Sequence, residues 1–141
     1  MHIIKQVGVS LWFFYIANRI IPSYRLDKLN IHAGSGGVLL IRKLPFSVLI
    51  TCHHTYWQQY THIKSQLWKR IFLPFEQRTY RLADKIICEC EDIKRVLIDN
   101  YAIPAEKNPG IHCAVDTGIF YSTSLPKKQN CVLCIGRIAK R

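Results

Sequence analysis

Pro45-Phe46-Ser47-Val48-Leu49-Ile50-Thr51-Cys52-His53-His54 is the stretch on which the fold turns. Proline interrupts whatever precedes it, Phe46 to Thr51 is apolar and β-branched over a strand's length, and two histidines follow. An unbroken apolar run predicts a strand covered on both faces, as in a parallel sheet. Upstream, Asn30-Ile31-His32-Ala33 is a second short strand candidate, followed by Gly34-Ser35-Gly36-Gly37 and a predicted helix from Val38 to about Lys43. Downstream, a long helical region begins near Gln58. Ile63, Leu67, Ile71 and Phe75 recur there at four-residue spacing, which predicts one apolar face. Pro74 is expected to kink or split that helix. Asp84 to Cys90 is the third strand candidate, and Glu91-Asp92 supply acids to the first turn of a helix carrying Ile93, Val96 and Leu97. Tyr101-Ala102-Ile103-Pro104 ends it. Ile111 to Val115 is short and apolar, Ser122 to Asn130 is a polar loop, and Cys131 to Ile135 reads as a last strand.

Short apolar strands alternating with helices place the chain in the α/β class, with a parallel sheet and flanking helices. Ligands of such sheets bind beyond the carboxyl ends of the strands, in the loops after Ala33, Thr51, Cys90 and Ile135. The first of these loops holds Gly34 and Gly36, which allow an anion close to backbone N–H groups. Leu39 stands where a dinucleotide fingerprint needs glycine, so a steric turn explains the pair equally well. The second holds His53 and His54. A histidine there can hydrogen-bond a substrate hydroxyl or anion near neutral pH, or simply pack at the strand end. Adjacent histidines point different ways from an extended backbone, so they do not share a metal. In the last loop Gly136 and Arg137 offer a planar guanidinium fork to phosphate oxygens; a basic run near a terminus is otherwise a solvated one. No metal site, cofactor motif or nucleophile elbow is visible.

At 141 residues the chain is about one domain, and 49% hydrophobic content excludes a disordered acidic chain. A net charge of +11 attracts anionic partners, yet no nucleic-acid module is present, so nucleic acid is not expected. Six cysteines, at 52, 88, 90, 113, 131 and 134, sit mostly in apolar contexts, which predicts buried reduced thiols in a cytoplasmic protein. Cys131-x-x-Cys134 lacks the second pair of a zinc site. The apolar run Val7 to Ala17 is too short for a spanning helix, which needs about 20 residues. It predicts a helix lying on the core, with a membrane-surface helix as the alternative.

Taken in order, these segments resemble the middle of a family-4 glycosyltransferase of the GT-B fold, from about Leu26 to Arg141. His32-Ala33 resembles the "D-x-I-H-A-H" strand, with Asn30 at the acid and Gly34 at the second histidine. Pro45 to His53 resembles "P-x-V-x-T-x-H". Glu76 with Ala83-Asp84-Lys85-Ile86-Ile87 resembles "E-(x)-A-D-x-I-I", Cys90 taking the usual serine's place. Leu97, Ile103-Pro104 and Lys107 resemble "L…I-P-x-x-K". Val115-Asp116-Thr117-Gly118-Ile119-Phe120 resembles "N-G-V-D-T-x-x-F", with Cys113-Ala114 in place of Asn-Gly. Cys131 to Ala139 resembles "x-L-x-V-G-R-L".

The resemblance implies a partial Rossmann-like (GT-B) lobe. Residues 1–121 would be part of the N-terminal acceptor-side lobe, 122–130 the interlobe linker, and 131–141 the first strand of the donor-side lobe. It implies sugar transfer from a nucleotide-sugar to a sugar or lipid-linked acceptor hydroxyl, with retention and without a bound metal, in polysaccharide or glycolipid synthesis. His53 would be the catalytic cleft histidine and Arg137 the arginine facing the departing diphosphate. Gly34, Gly36, His54 and Gly136 are the remaining substrate-binding candidates. The isolated chain is expected not to turn over, because the glutamate pair of the donor lobe would lie beyond Arg141. The setting is expected to be cytoplasmic, with peripheral contact to an anionic membrane. The alternative reading is a non-catalytic basic module for anionic lipid or sugar-phosphate.

Overall fold

A computed structural model describes residues 2–33 and 40–121. Of the earlier expectations, Gly34, Gly36, Gly136, Arg137, the 122–130 linker and the strand at 131–135 lie outside the described residues. The elements run α1 (His2–Tyr15), β1 (Lys28–Ala33), β2 (Ser47–Cys52), α2 (Tyr56–His62), α3 (Leu73–Leu82), β3 (Lys85–Cys88) and α4 (Glu91–Tyr101). The three strands form one parallel sheet in the order β1-β2-β3. Helices flank it, as the alternation predicts, and the chain is a partial Rossmann-like α/β lobe.

The register sets the character of each face. Leu29, Ile31, Val48, Ile50, Cys52, Ile86 and Cys88 share one face, because strand side chains alternate and Ile31 pairs with Ile50, and Ile50 with Ile86. Val48, Ile50, Cys52, Ile86 and Cys88 are fully buried there, against Tyr80, Ile93, Leu97 and Tyr101 of α3 and α4. The other face carries Asn30, His32 and Thr51 toward its carboxyl end. Asp84 ties the entry of β2 to α3's exit. Its carboxylate accepts the Val48 N–H at 2.8 Å and pairs with Lys43, whose hydrogen bond holds the carboxyl below its usual pKa.

Helix ends follow local chemistry. Thr55 opens α2 by a capping box with Gln58, each side chain accepting the other's backbone N–H. Pro74 stands in the first turn of α3, so the predicted long helix is split there. α4 stops at Ala102, whose φ of 53° is left-handed, and the Ile103 N–H closes onto the Leu97 carbonyl.

Four expectations are corrected. Leu40 to Lys43 is not helical: the Leu40 N–H donates to Thr79 Oγ1 and the Ile41 N–H to Asn18 Oδ1, so side chains replace the helical carbonyls. The face of Leu67, Ile71 and Phe75 is exposed rather than buried. Lys64–Phe72 is a 3-10 segment with non-helical Gln66 (φ −115°, ψ 16°), so the 3.6-residue period does not govern it. Its buried residue is Lys69, with Nζ on Gln59 Oε1 and 5.3 Å from the centre of the Tyr56 ring. Ile111 to Val115 forms no strand. A single bridge, Cys88 to Gly110, precedes it, and Ile111 and Val115 are exposed. Finally, the run Val7 to Ala17 does not lie on the core along its length: among the described side chains Val9, Leu11, Trp12, Phe13 and Tyr15 are exposed, and the run enters the core at Ala17, past the end of α1. Cys52 and Cys88 are buried and free, as expected, whereas Cys113 is exposed.

Candidate functional site

The carboxyl ends of β1, β2 and β3 bring a row of polar side chains together. Residue 52 pairs with residue 88, so the first residues beyond the two strands, His53 and Glu89, emerge side by side. His53 Nδ1 lies 2.6 Å from Glu89 Oε1. On its other side His53 Nε2 lies 3.0 Å from His32 Nδ1, with the two rings stacked at 5.2 Å and 22°. His32 Nε2 lies 3.5 Å from Asn30 Nδ2, and Asn30 Oδ1 accepts from the Thr51 hydroxyl at 3.2 Å.

The polarity of this row follows from its two ends. A carboxylate only accepts, so His53 Nδ1 carries the proton. His53 Nε2 is then a lone pair, and His32 Nδ1 donates to it. His32 Nε2 is consequently a lone pair too, facing the Asn30 amide N–H. In this arrangement the bonds assign one tautomer to each histidine. His32, His53 and Asn30 are exposed, and Glu89 is half-buried.

The same loop is held from inside by a second carboxyl group. Glu76 of α3 is 8% exposed and accepts the Tyr56 N–H on both oxygens (3.1 and 3.0 Å). It also accepts the hydroxyls of Tyr80, at 3.0 Å, and Tyr101. The Tyr101 oxygen accepts the Trp57 N–H in turn. Burial pushes the Glu76 carboxyl up to about 7 against these hydrogen bonds. Burial likewise raises the Cys52 thiol to about 12, so it stays protonated beside Tyr80 Oη at 3.4 Å.

His54 does not join His53. Its Nε2 is buried without a hydrogen-bond partner among the described residues, and burial, then Lys69 and His53, lower its pKa. It is not a second member of the row. Asn30, His32 and Glu89 are the members that spacing alone did not single out. The available signal was register: residues that follow paired strand ends are neighbours. Among the described residues no group of three or more His, Cys, Asp or Glu side chains is arranged to hold a metal.

The strand ends of this parallel α/β lobe thus present two histidines and a carboxylate on one row. The model of Glycosyltransferase Family 4 matches residues 2–118, and the chain belongs to that family. No curated protein and no solved structure matches it. The chain is therefore of glycosyltransferase kind, with a sugar donor and an acceptor as its general substrates.

Proposed function

We propose that this chain is the acceptor-side lobe of a glycosyltransferase that moves a sugar from a nucleotide-sugar to an acceptor hydroxyl with retention of configuration, in polysaccharide or glycolipid synthesis. The observation that carries this is the polarised row from Thr51 to Glu89 at the strand ends of a family-4 lobe. Residues 1–121 form part of that lobe, 122–130 the link and 131–141 the first strand of the donor side. His53, held by Glu89, orients the reacting groups, and Arg137, with Gly136, meets the departing diphosphate. Preorganised charge of that kind supplies several kcal/mol when it is aimed at the transition state. Gly34 and Gly36 lie next in sequence to β1's end and fit close backbone approach to the substrate.

The setting we assign is cytoplasmic, at the surface of an anionic membrane. The exposed Leu11, Trp12 and Phe13 of α1 and a net charge of +11 support it. No helix among the described residues is long and apolar enough to cross a membrane.

The test uses a protein carrying this chain together with a donor-binding lobe, given a nucleotide-sugar pool and a lipid or oligosaccharide acceptor. The expected product keeps the donor's anomeric configuration by NMR, and His53→Ala lowers turnover at least tenfold. Unchanged turnover would return His53 to a packing role, and an inverted product would sink retention.

A further inference from the structure

At the opposite end of the sheet from the histidine row, where β2 and β3 begin, lies an open groove of about 440 Å³. Lys43, Arg81, Asp84, Lys85, Glu106 and Lys107 line it. They arrive from the approach to β2, the last turn of α3, the start of β3 and the turn at Ala105–Lys107. None of them belongs to the row at the strands' carboxyl ends.

Main-chain carbonyls fix three ammonium groups in this groove. Lys107 Nζ donates to the Arg81 carbonyl at 2.7 Å, and Lys43 Nζ to the Leu82 carbonyl at 3.3 Å. Both carbonyls stand in the last turn of α3, where a helix leaves its acceptors without N–H partners. Lys85 Nζ donates to the Glu106 carbonyl at 2.9 Å. An ammonium group has three N–H donors. Among the described residues Lys85 and Lys107 each spend one and keep two, while Lys43 spends a second on Asp84 and keeps one. The Arg81 guanidinium has no partner among the described residues and adds a planar fork.

The charges here do not balance. Four cationic side chains face the carboxylates of Asp84 and Glu106, and the C-terminus of α3 contributes about half a negative charge more. Roughly one and a half positive charges stay uncompensated. Capping of α3 accounts for the carbonyl contacts of Lys43 and Lys107. It does not account for Lys85, which bonds outside that helix, or for the open fork of Arg81. Burial, and then the charge of Lys43, hold the Lys107 ammonium below its usual pKa, so the cations are crowded as well as numerous.

From this we infer that the groove is a binding site for a phosphate monoester, whose terminal oxygens accept from Arg81, Lys85 and Lys107. Such a group carries about −1.5 to −2 charges at pH 7, which matches the uncompensated charge. The arginine fork takes two oxygens side by side, and the lysines act as point charges. The ligand would tie the entries of β2 and β3 to the end of α3, away from His53. The inference goes beyond the transfer reaction and does not rest on it.

NMR titration of the 141-residue chain with glycerol 3-phosphate tests it, at about 0.15 M salt, where exposed charges more than ~8 Å apart are screened. Saturable shifts are expected at the Lys85 and Lys107 side chains and the Arg81 Nε–H. Dimethyl phosphate, which carries a single charge, should bind at least tenfold more weakly. Arg81→Gln, whose side chain holds nothing else among the described residues, is expected to weaken binding at least fivefold. Lys64→Gln, at an exposed lysine outside the groove, should leave it unchanged. Vesicles of phosphatidylcholine with phosphatidic acid identify the source of the monoester. Sedimentation of the wild type but not of Arg81→Gln would make it a lipid headgroup, and glycerol 3-phosphate binding without sedimentation would make it a soluble molecule. No saturable binding of either would overturn the site and leave Lys43 and Lys107 as caps of α3. Equal losses in Lys64→Gln and Arg81→Gln would also overturn it, because diffuse charge would then do the binding. Shifts confined to His32 and His53 would move the anion to the other end of the sheet and overturn it too.

Discussion

Glu76 and Glu89 both hold the loop that leaves β2, Glu76 through the Tyr56 N–H and Glu89 through the His53 ring. Glu76 is buried, receives donors from three residues and has its pKa raised to about 7. Glu89 keeps 26% of its side chain open and receives one imidazole N–H. The difference teaches a division of labour. A carboxyl group enclosed by donors fixes where a loop sits, at the expense of its own ionisation. One left partly in water can set the tautomer of a neighbour without stabilising the fold by much.

Three experiments bear on that contrast. Glu76→Ala removes the shared acceptor of the Tyr56 N–H and of the Tyr80 and Tyr101 hydroxyls, and each buried donor left without an acceptor costs roughly 1–3 kcal/mol. The variant is expected to lose about 3 kcal/mol or more in denaturant unfolding, and a loss under about 1 kcal/mol would show the cluster to be dispensable.

The second effect is smaller and depends on pH. Because the folded pKa of Glu76 lies above its ordinary 4.5, its contribution to stability is complete below about pH 4.5 and declines as pH rises through about 7. The unfolding free energy of the wild type relative to Glu76→Gln should therefore fall across that window. His54, whose pKa is lowered, works in the opposite sense and cancels in the difference, since both proteins contain it. A flat difference would mean that Glu76 ionises as it does in the unfolded chain.

The smallest effect on stability belongs to Glu89→Ala, expected within about 1 kcal/mol of wild type because the pair is partly solvated. Its signature lies elsewhere. Nitrogen-15 spectra of His53 should show the Nδ1–H tautomer in the wild type and a mixture in the variant. An unchanged tautomer would strip Glu89 of its positioning role.

Much of the sheet was legible in the sequence. Val48 to Thr51 and Ile86 to Cys88 are runs that only a buried strand explains, and Pro74 announced its own break. One misreading came from backbone donors satisfied by distant side chains that no local window contains. Thr79 and Asn18 take up the N–H groups of Leu40 and Ile41, so the predicted helix never forms. The Ile63-to-Phe75 spacing failed because Gln66 breaks the helical phase. Of the site, the two histidines were visible as a pattern but their split fate was not. His53 turns to Glu89 and His54 turns inward, and that outcome depends on the Cys52–Cys88 register.

Ala102 carries one more consequence. It is solvent-exposed, and a survey of surfaces would score it as free to vary. Its left-handed backbone nevertheless turns the chain so that Ile103 enters the core at 1% exposure. Among descendants of this sequence, glycine and asparagine are the natural heirs to position 102, while a β-branched residue there would be inherited only with a remodelled end to α4.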